Sequence, residues 1–356
     1  MPTNPLVFDG HNDTLLDLFP LAPATPRRTF FEQSEQGHID LPRARAGGLG
    51  GGFFAMFIPN RFRKGHARPR PIQVDGRLEY PVPPPVEQPY ALELSLHMAA
   101  GLFRLEQESA GQLKIVRSAA ELERCLKGKT FAAILHAEGA DFIDPGMDAL
   151  EVMAQAGLKS LGLVWSRPNL FGAGVPFTFP GSPDNGPGLT RLGMALVQRC
   201  NQLRIMVDLS HLTEKGFWDV EAQSDAPLVA THSGAHALCA SPRNLTDKQL
   251  DAIGRTGGMV GVNFHKGFLR ADGNEKRKTS VSEIARHAAY IAERIGDEHV
   301  GLGSDFDGAW MPEDLGDVTG LPRLMDALRA VGFSGESLKR VAHGNWVRVL
   351  RATWGA

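Results

Sequence analysis

Cysteine is scarce in this chain, neither sign of charge dominates, and long apolar runs are missing. Cys125, Cys200 and Cys239 are its 3 cysteines in 356 residues. They lie far apart and in no C-x-x-C spacing, which argues against a disulfide framework or a thiolate zinc site and fits a reducing compartment. The 38 basic and 40 acidic side chains leave a formal net charge of -2, so there is no electrostatic footprint for nucleic acid or an anionic membrane. No stretch of about 18 apolar residues occurs. The opening MPTNPLVFDG has no basic region running into an apolar segment. The expectation is a cytoplasmic protein whose partners are small molecules.

A repeated alternation is present instead. Short apolar runs occur at 5–11 (PLVFDGH), 51–58 (GGFFAMFI), 131–139 (FAAILHAEG), 160–166 (SLGLVWS), 204–211 (RIMVDLSH), 227–233 (PLVATHS), 258–264 (GMVGVNF) and 299–305 (HVGLGSD). Such runs suit parallel strands covered by helices. Helix signals lie between them. Thr190 precedes the stripe Leu192, Leu196, Cys200 and Leu203, while Thr246 with Gln249 and Ser280 with Glu283 form capping boxes ahead of further apolar stripes. Roughly eight strand-helix repeats predict an α/β fold, a (β/α)8 TIM-type barrel, as a single domain over 1–356. A doubly wound open sheet is the alternative, but no G-x-G-x-x-G follows any of these strands.

Segment 58–90, rich in proline and arginine, breaks the rhythm and is expected to lack regular structure. It makes a long excursion after the second strand, either a lid bringing Arg61, Arg63, Lys64 or Arg68 to the site or a solvated insertion.

Chemistry-bearing residues gather at the strand ends. Side chains alternate along an extended chain, so His11 and Asp13 in DGHND share a face. A lone H-x-D is more often a polar strand end than a metal pair. Strand three, however, ends in Glu138, strand five in His211, strand six in His232 and strand eight in Asp305. In a barrel these ends converge, and the charge crowded there calls for a cation. The set suggests two metal ions about 3.5 Å apart, one on His11 and Asp13, the other on His211 and His232, with Glu138 bridging. The bridging solvent would attack as hydroxide, and Asp305 is left as general base and acid.

DGHND, HAEG, DLSH, THS followed by SPRNLTD, and GLGSDFDG resemble, in order, the motifs of the membrane (renal) dipeptidase family, zinc-dependent dipeptidases of the metallo-dependent hydrolase superfamily. The likeness runs from His11 to Gly308 and extends weakly to HGNWVRVL. It implies a barrel with two zinc ions per chain that hydrolyses dipeptides and tolerates a D-residue at the C-terminal position. It also implies that His11, Asp13, Glu138, His211 and His232 are ligands, that Asp305 is the proton shuttle, and that Arg243 binds the substrate's terminal carboxylate. A guanidinium fork suits a carboxylate, whereas the plainer reading pairs Arg243 with Asp247. Histidine and carboxylate ligands also accept Mn²⁺, Co²⁺ or Fe²⁺, and a homodimer is left open.

One departure bears on substrate. Where the family often has histidine in a T-H step, LVWSRPN places Trp165, which can donate one hydrogen bond but carries no proton. Trp165, Arg167 or Asn169, or the metal alone, would then polarise the scissile group, with Trp165 and Asn169 taken as substrate-binding. This motivates a second reading, hydrolysis of N-acyl amino acids or another small amide or lactone. A third, non-catalytic reading is a barrel that binds metal or a peptide-like ligand. His136, on the face of Glu138, either orients that carboxylate or is a hydrogen-bonded core residue.

Overall fold

The computed structural model describes residues 4–20, 28–61, 71–74 and 76–355. Its main sheet contains β1 (Val7–Asn12), β2 (Leu49–Phe57), β3 (Phe131–Glu138), β4 (Leu158–Gly162), β5 (Met206–Asp208), β6 (Val229–Ser233), β7 (Met259–Asn263) and β8 (Val300–Gly303). These strands pair in parallel in chain order, and β8 returns to β1 at Asp9↔Leu302, which closes a (β/α)8 barrel. All eight fall on the apolar runs of the sequence. An extra three-residue strand, Leu113–Ile115, pairs with the first residues of β3, where β4 pairs only from Leu135 onward.

β2 can approach β3 closely because its crossing residue has no side chain. A Cβ on Gly51, whose φ is +152°, would stand 2.1 Å from the Ala132 carbonyl oxygen. The barrel floor is aromatic. Phe53 packs 5.7 Å from Phe8 and 5.1 Å from Trp346, which enters from the C-terminal helix Asn345–Trp354 and donates its indole N–H to the Leu302 carbonyl. Outside the strands a larger apolar shell includes Leu196, Ile253, Ile284 and Leu324 from the covering helices.

Two of the three cap signals hold. Thr190 accepts from the Gly193 N–H ahead of helix Arg191–Leu203, and the Thr246 N–H donates to Gln249 ahead of Asp247–Arg255. The third box does not form. Ser280 donates to Asp314, Glu283 pairs with Arg286, and Asp314 also accepts the Val281 N–H at the start of helix Ser282–Ile295. An acid from a later loop has taken the capping role.

The excursion after β2 also differs from expectation. Ile72–Val74 and Arg77–Glu79 pair antiparallel, and Thr178–Phe179, from the loop after β4, joins as a third strand. Helix Gln88–Glu108 begins within the same segment. Strands of two or three residues between prolines carry no periodic signal, and the third strand lies far along the chain. Arg61 stacks 3.8 Å over Tyr90 and pairs with Glu93, while Arg63, Lys64 and Arg68 lie outside the described residues. Among the described residues no helix is long and apolar enough to cross a membrane. All three cysteines are buried and free.

Candidate metal centre

Five of the residues singled out in the sequence meet at the C-terminal mouth of the barrel. His11 lies at the end of β1 and Asp13 just past it. Glu138 is the last residue of β3, His211 follows β5, and His232 lies in β6. All five are buried. His211 Nε2 stands 2.9 Å from Glu138 Oε1 and 3.1 Å from His232 Nε2, and His232 Nε2 is 3.5 Å from the same oxygen. On the other side, His11 Nε2 is 3.7 Å from Glu138 Oε2 and 3.8 Å from Asp13 Oδ2. Glu138 therefore offers one oxygen to each side.

Local backbone geometry aims these groups. His211 adopts φ +70°, a left-handed conformation uncommon for a non-glycine residue, and its Nδ1 is fixed by the Ser166 hydroxyl at 2.8 Å. His232 Nδ1 is held in the same way by Thr231 Oγ1 at 2.8 Å. Each ring thus presents Nε2 inward.

The donor set fits a cation. His11 Nδ1, His11 Nε2 and Asp13 Oδ1 are buried with no hydrogen-bond partner. Buried polar groups left unpaired cost free energy, and three in one place ask for a ligand. The proton affinities carry the same strain. Burial alone would depress His11, but the charges of Glu138 and Asp13 outweigh it and raise its pKa to about 10. Burial, with the nearby charges of Asp13 and Asp305, lifts Glu138 well above the carboxylate range. Burial also pushes His211 and His232 well below 6.5, with Arg243 and His11 adding to the effect. Burial thus favours neutral His211 and His232 rings, the form in which imidazole can coordinate.

Asp305 follows β8 with φ +61°, its N–H on the His11 carbonyl and its Oδ2 accepting from Asn263 at 3.0 Å. A Cβ on Gly308 would lie 1.9 Å from Asp13 Oδ2 and 2.8 Å from Asp305 Oδ1, so a bare glycine lets these two carboxylates share one wall. Arg243 is buried, with one N–H on the His232 carbonyl, its guanidinium 5.4 Å from the centre of the Phe268 ring and its Nε unpartnered. Asp247 is instead engaged by Arg294 and Tyr290, so the plainer pairing for Arg243 is absent.

The residues after β4 divide. Trp165 lies with its ring 6.0 Å from that of His211. Arg167 is fully buried, paired with Asp141 and bonded to the Ile58 carbonyl, so it braces the loops. The Asn169 amide is occupied by Leu163, Phe171 and Gly172 of its own turn. His136 bonds Ser160 at 2.9 Å rather than Glu138, the core arrangement of the two foreseen. Sequence reasoning missed Ser166, Thr231 and Asp208. Asp208 precedes His211 in DLSH, and the Thr231–His232 step is equally short, so polar residues adjoining a candidate ligand were the available signal.

The description membrane dipeptidase (peptidase family M19) belongs to the family model that matches residues 2–354. A solved metallopeptidase from Rhodobacter sphaeroides, liganded with a phosphinate mimic of the dipeptide L-Ala-D-Ala, is 46% identical, with 99% of this chain and 100% of that one covered at a TM-score of 0.92. An uncharacterized protein in the pqqA 5' region of Klebsiella pneumoniae is 48% identical over 263 residues, 74% of this chain and 97% of that protein. Dipeptidase ataJ of Aspergillus terreus is 28% identical over 365 residues, covering 98% of this chain and 84% of its own.

Proposed function

Because this chain belongs to the membrane dipeptidase family and is a metal-dependent dipeptidase, we propose that its centre holds two zinc ions, one on His11 and Asp13, one on His211 and His232, with Glu138 between them. The observation that carries this is the convergence of His211 Nε2 and His232 Nε2 on one Glu138 oxygen, while His11 offers unpaired nitrogens beside the other. The metal, when bound, supplies Lewis-acid charge at the peptide carbonyl and acidifies the attacking water. Asp305 takes the proton from that water and returns it to the departing amine. Arg243 receives the terminal carboxylate, which favours free dipeptides over internal peptide bonds.

The substrate is a dipeptide with a D-residue accepted at the C-terminal position, in line with the L-Ala-D-Ala mimic of the Rhodobacter sphaeroides protein. Trp165 walls the site beside His211 and offers an indole N–H in place of a protonatable ring. Asn169 acts by holding the turn that follows Trp165. The three buried thiols suit a cytoplasmic location.

The test is amine release from L-Ala-D-Ala and L-Ala-L-Ala by the purified, zinc-loaded protein, with a chelated sample beside it. Asp305→Asn is expected to keep its metal and lose about 10²- to 10⁴-fold in kcat. Unchanged activity in that variant sinks the shuttle assignment. A metal-loaded protein that cleaves an N-acyl amino acid but no dipeptide replaces the substrate class.

A further inference from the structure

We propose that an aromatic row between His211 and Arg243 selects an apolar side chain on the C-terminal residue of the substrate. The inference rests on the dipeptidase reading and adds a substrate class to it. The row consists of Trp165, Phe177 and Phe268. Phe177 lies with its ring centre 6.4 Å from that of His211 and 5.5 Å from that of Trp165. Phe268 lies nearly parallel to Phe177, at 7° and 6.2 Å, and its ring centre is 5.4 Å from the Arg243 guanidinium carbon. All three rings are only partly buried, although the polar groups they border are dry.

The placement follows the span of the substrate. With the terminal carboxylate on Arg243 and the scissile carbonyl beside His211, only the amide nitrogen and one Cα separate the two anchored groups. The C-terminal residue therefore lies along the stretch that Phe177 and Phe268 border. Rings of this kind reward apolar area, and none of the three side chains in the row carries a charge that would compensate a charged side chain for lost water. Phe177 is itself held in place, since its carbonyl accepts the Tyr80 N–H from the end of the small sheet.

The experiment compares kcat/KM for L-Ala-D-Leu, L-Ala-D-Glu and L-Ala-Gly in the zinc-loaded wild type and in Phe177→Ala. The wild type should favour D-Leu over D-Glu by about tenfold or more, and Phe177→Ala should lower the D-Leu to Gly ratio by about tenfold. If both rates fall together and the ratio stays fixed, Phe177 is merely structural and the proposal is overturned. Equal rates for D-Leu and D-Glu in the wild type overturn it as well. Should the variant fail to fold, product inhibition of the wild type decides, since free D-leucine must inhibit about tenfold better than free D-glutamate. A metal-loaded wild type that cleaves none of the three peptides defeats the dipeptidase reading itself, a result distinct from a ratio that does not move.

Discussion

Two buried polar groups of residues lie one below the other in the barrel. In the lower one, His136 meets Ser160 at 2.9 Å, and Asp208 accepts the Thr231 hydroxyl at 2.6 Å and the Thr231 and Ser210 N–H groups at 2.8 and 3.0 Å. In the upper one, His11 has no hydrogen-bond partner for either ring nitrogen, and two imidazoles turn Nε2 toward each other. Both groups are buried, so burial does not separate them; His136 Nε2 below also lacks a hydrogen-bond partner, but above three such atoms, His11 Nδ1, His11 Nε2 and Asp13 Oδ1, come together. Their titration diverges accordingly. Burial, with the charge of His11, pushes His136 down to about 3, while the carboxylates above carry His11 up to about 10.

The largest expected break in this contrast comes from Glu138→Gln. It removes the charge both sides of the upper group share, and hydrolysis should fall by more than about 10³-fold with loss of bound metal on elemental analysis. Full metal content would show that the two sides hold their ions without a bridge. Ser160→Ala, in the lower group, leaves His136 Nδ1 unpaired and should cost about 1–3 kcal/mol in denaturant unfolding while metal content stays as in the wild type. Metal loss in that variant would mean that the lower group sets the geometry of the upper.

A smaller, pH-dependent signature sharpens the same comparison in metal-free protein. His11 binds its proton more tightly folded than unfolded, so its stabilisation is complete below about pH 6.5 and is lost as pH rises through about 10. His136 does the reverse. The unfolded chain takes up its proton first, so stability declines as pH falls from about 6.5 toward about 3. The thermal stability of the apo-protein should therefore fall on both sides, and the alkaline loss should vanish once metal displaces the His11 proton. An alkaline limb that persists unchanged in the metal-loaded protein would contradict the assignment.

The strands and the convergence of the candidate ligands were legible in the sequence for one reason. Parallel barrel strands are short apolar runs, and a polar residue at the end of such a run has nowhere to point except the mouth. His11, Glu138, His211 and His232 stand out against that background. Asp208 and Thr231 do not, because a polar residue inside a short strand looks the same whether it bonds a ligand histidine or a neighbouring strand. The Ser280 box failed because Asp314, brought close only by folding, accepts the Ser280 hydroxyl and the Val281 N–H. Asn169 looked like a site residue because it follows Trp165, yet an asparagine in a turn is as apt to bond its own backbone. The small antiparallel sheet was invisible because its third strand is supplied by the loop after another barrel strand.

That small sheet joins the loops after β2 and β4, and Glu275 from the loop after β7 lies 3.4 Å from both the Tyr80 hydroxyl and His265. These three loops of the rim are therefore linked to one another, while the candidate ligands below them belong to strand ends and their first following residues. An engineer or a lineage seeking a new substrate would have to exchange these loops as a set. Grafting any one alone would tear pairings in the others, whereas replacing all three together would leave the strand ends that carry His11, Glu138, His211 and His232 untouched.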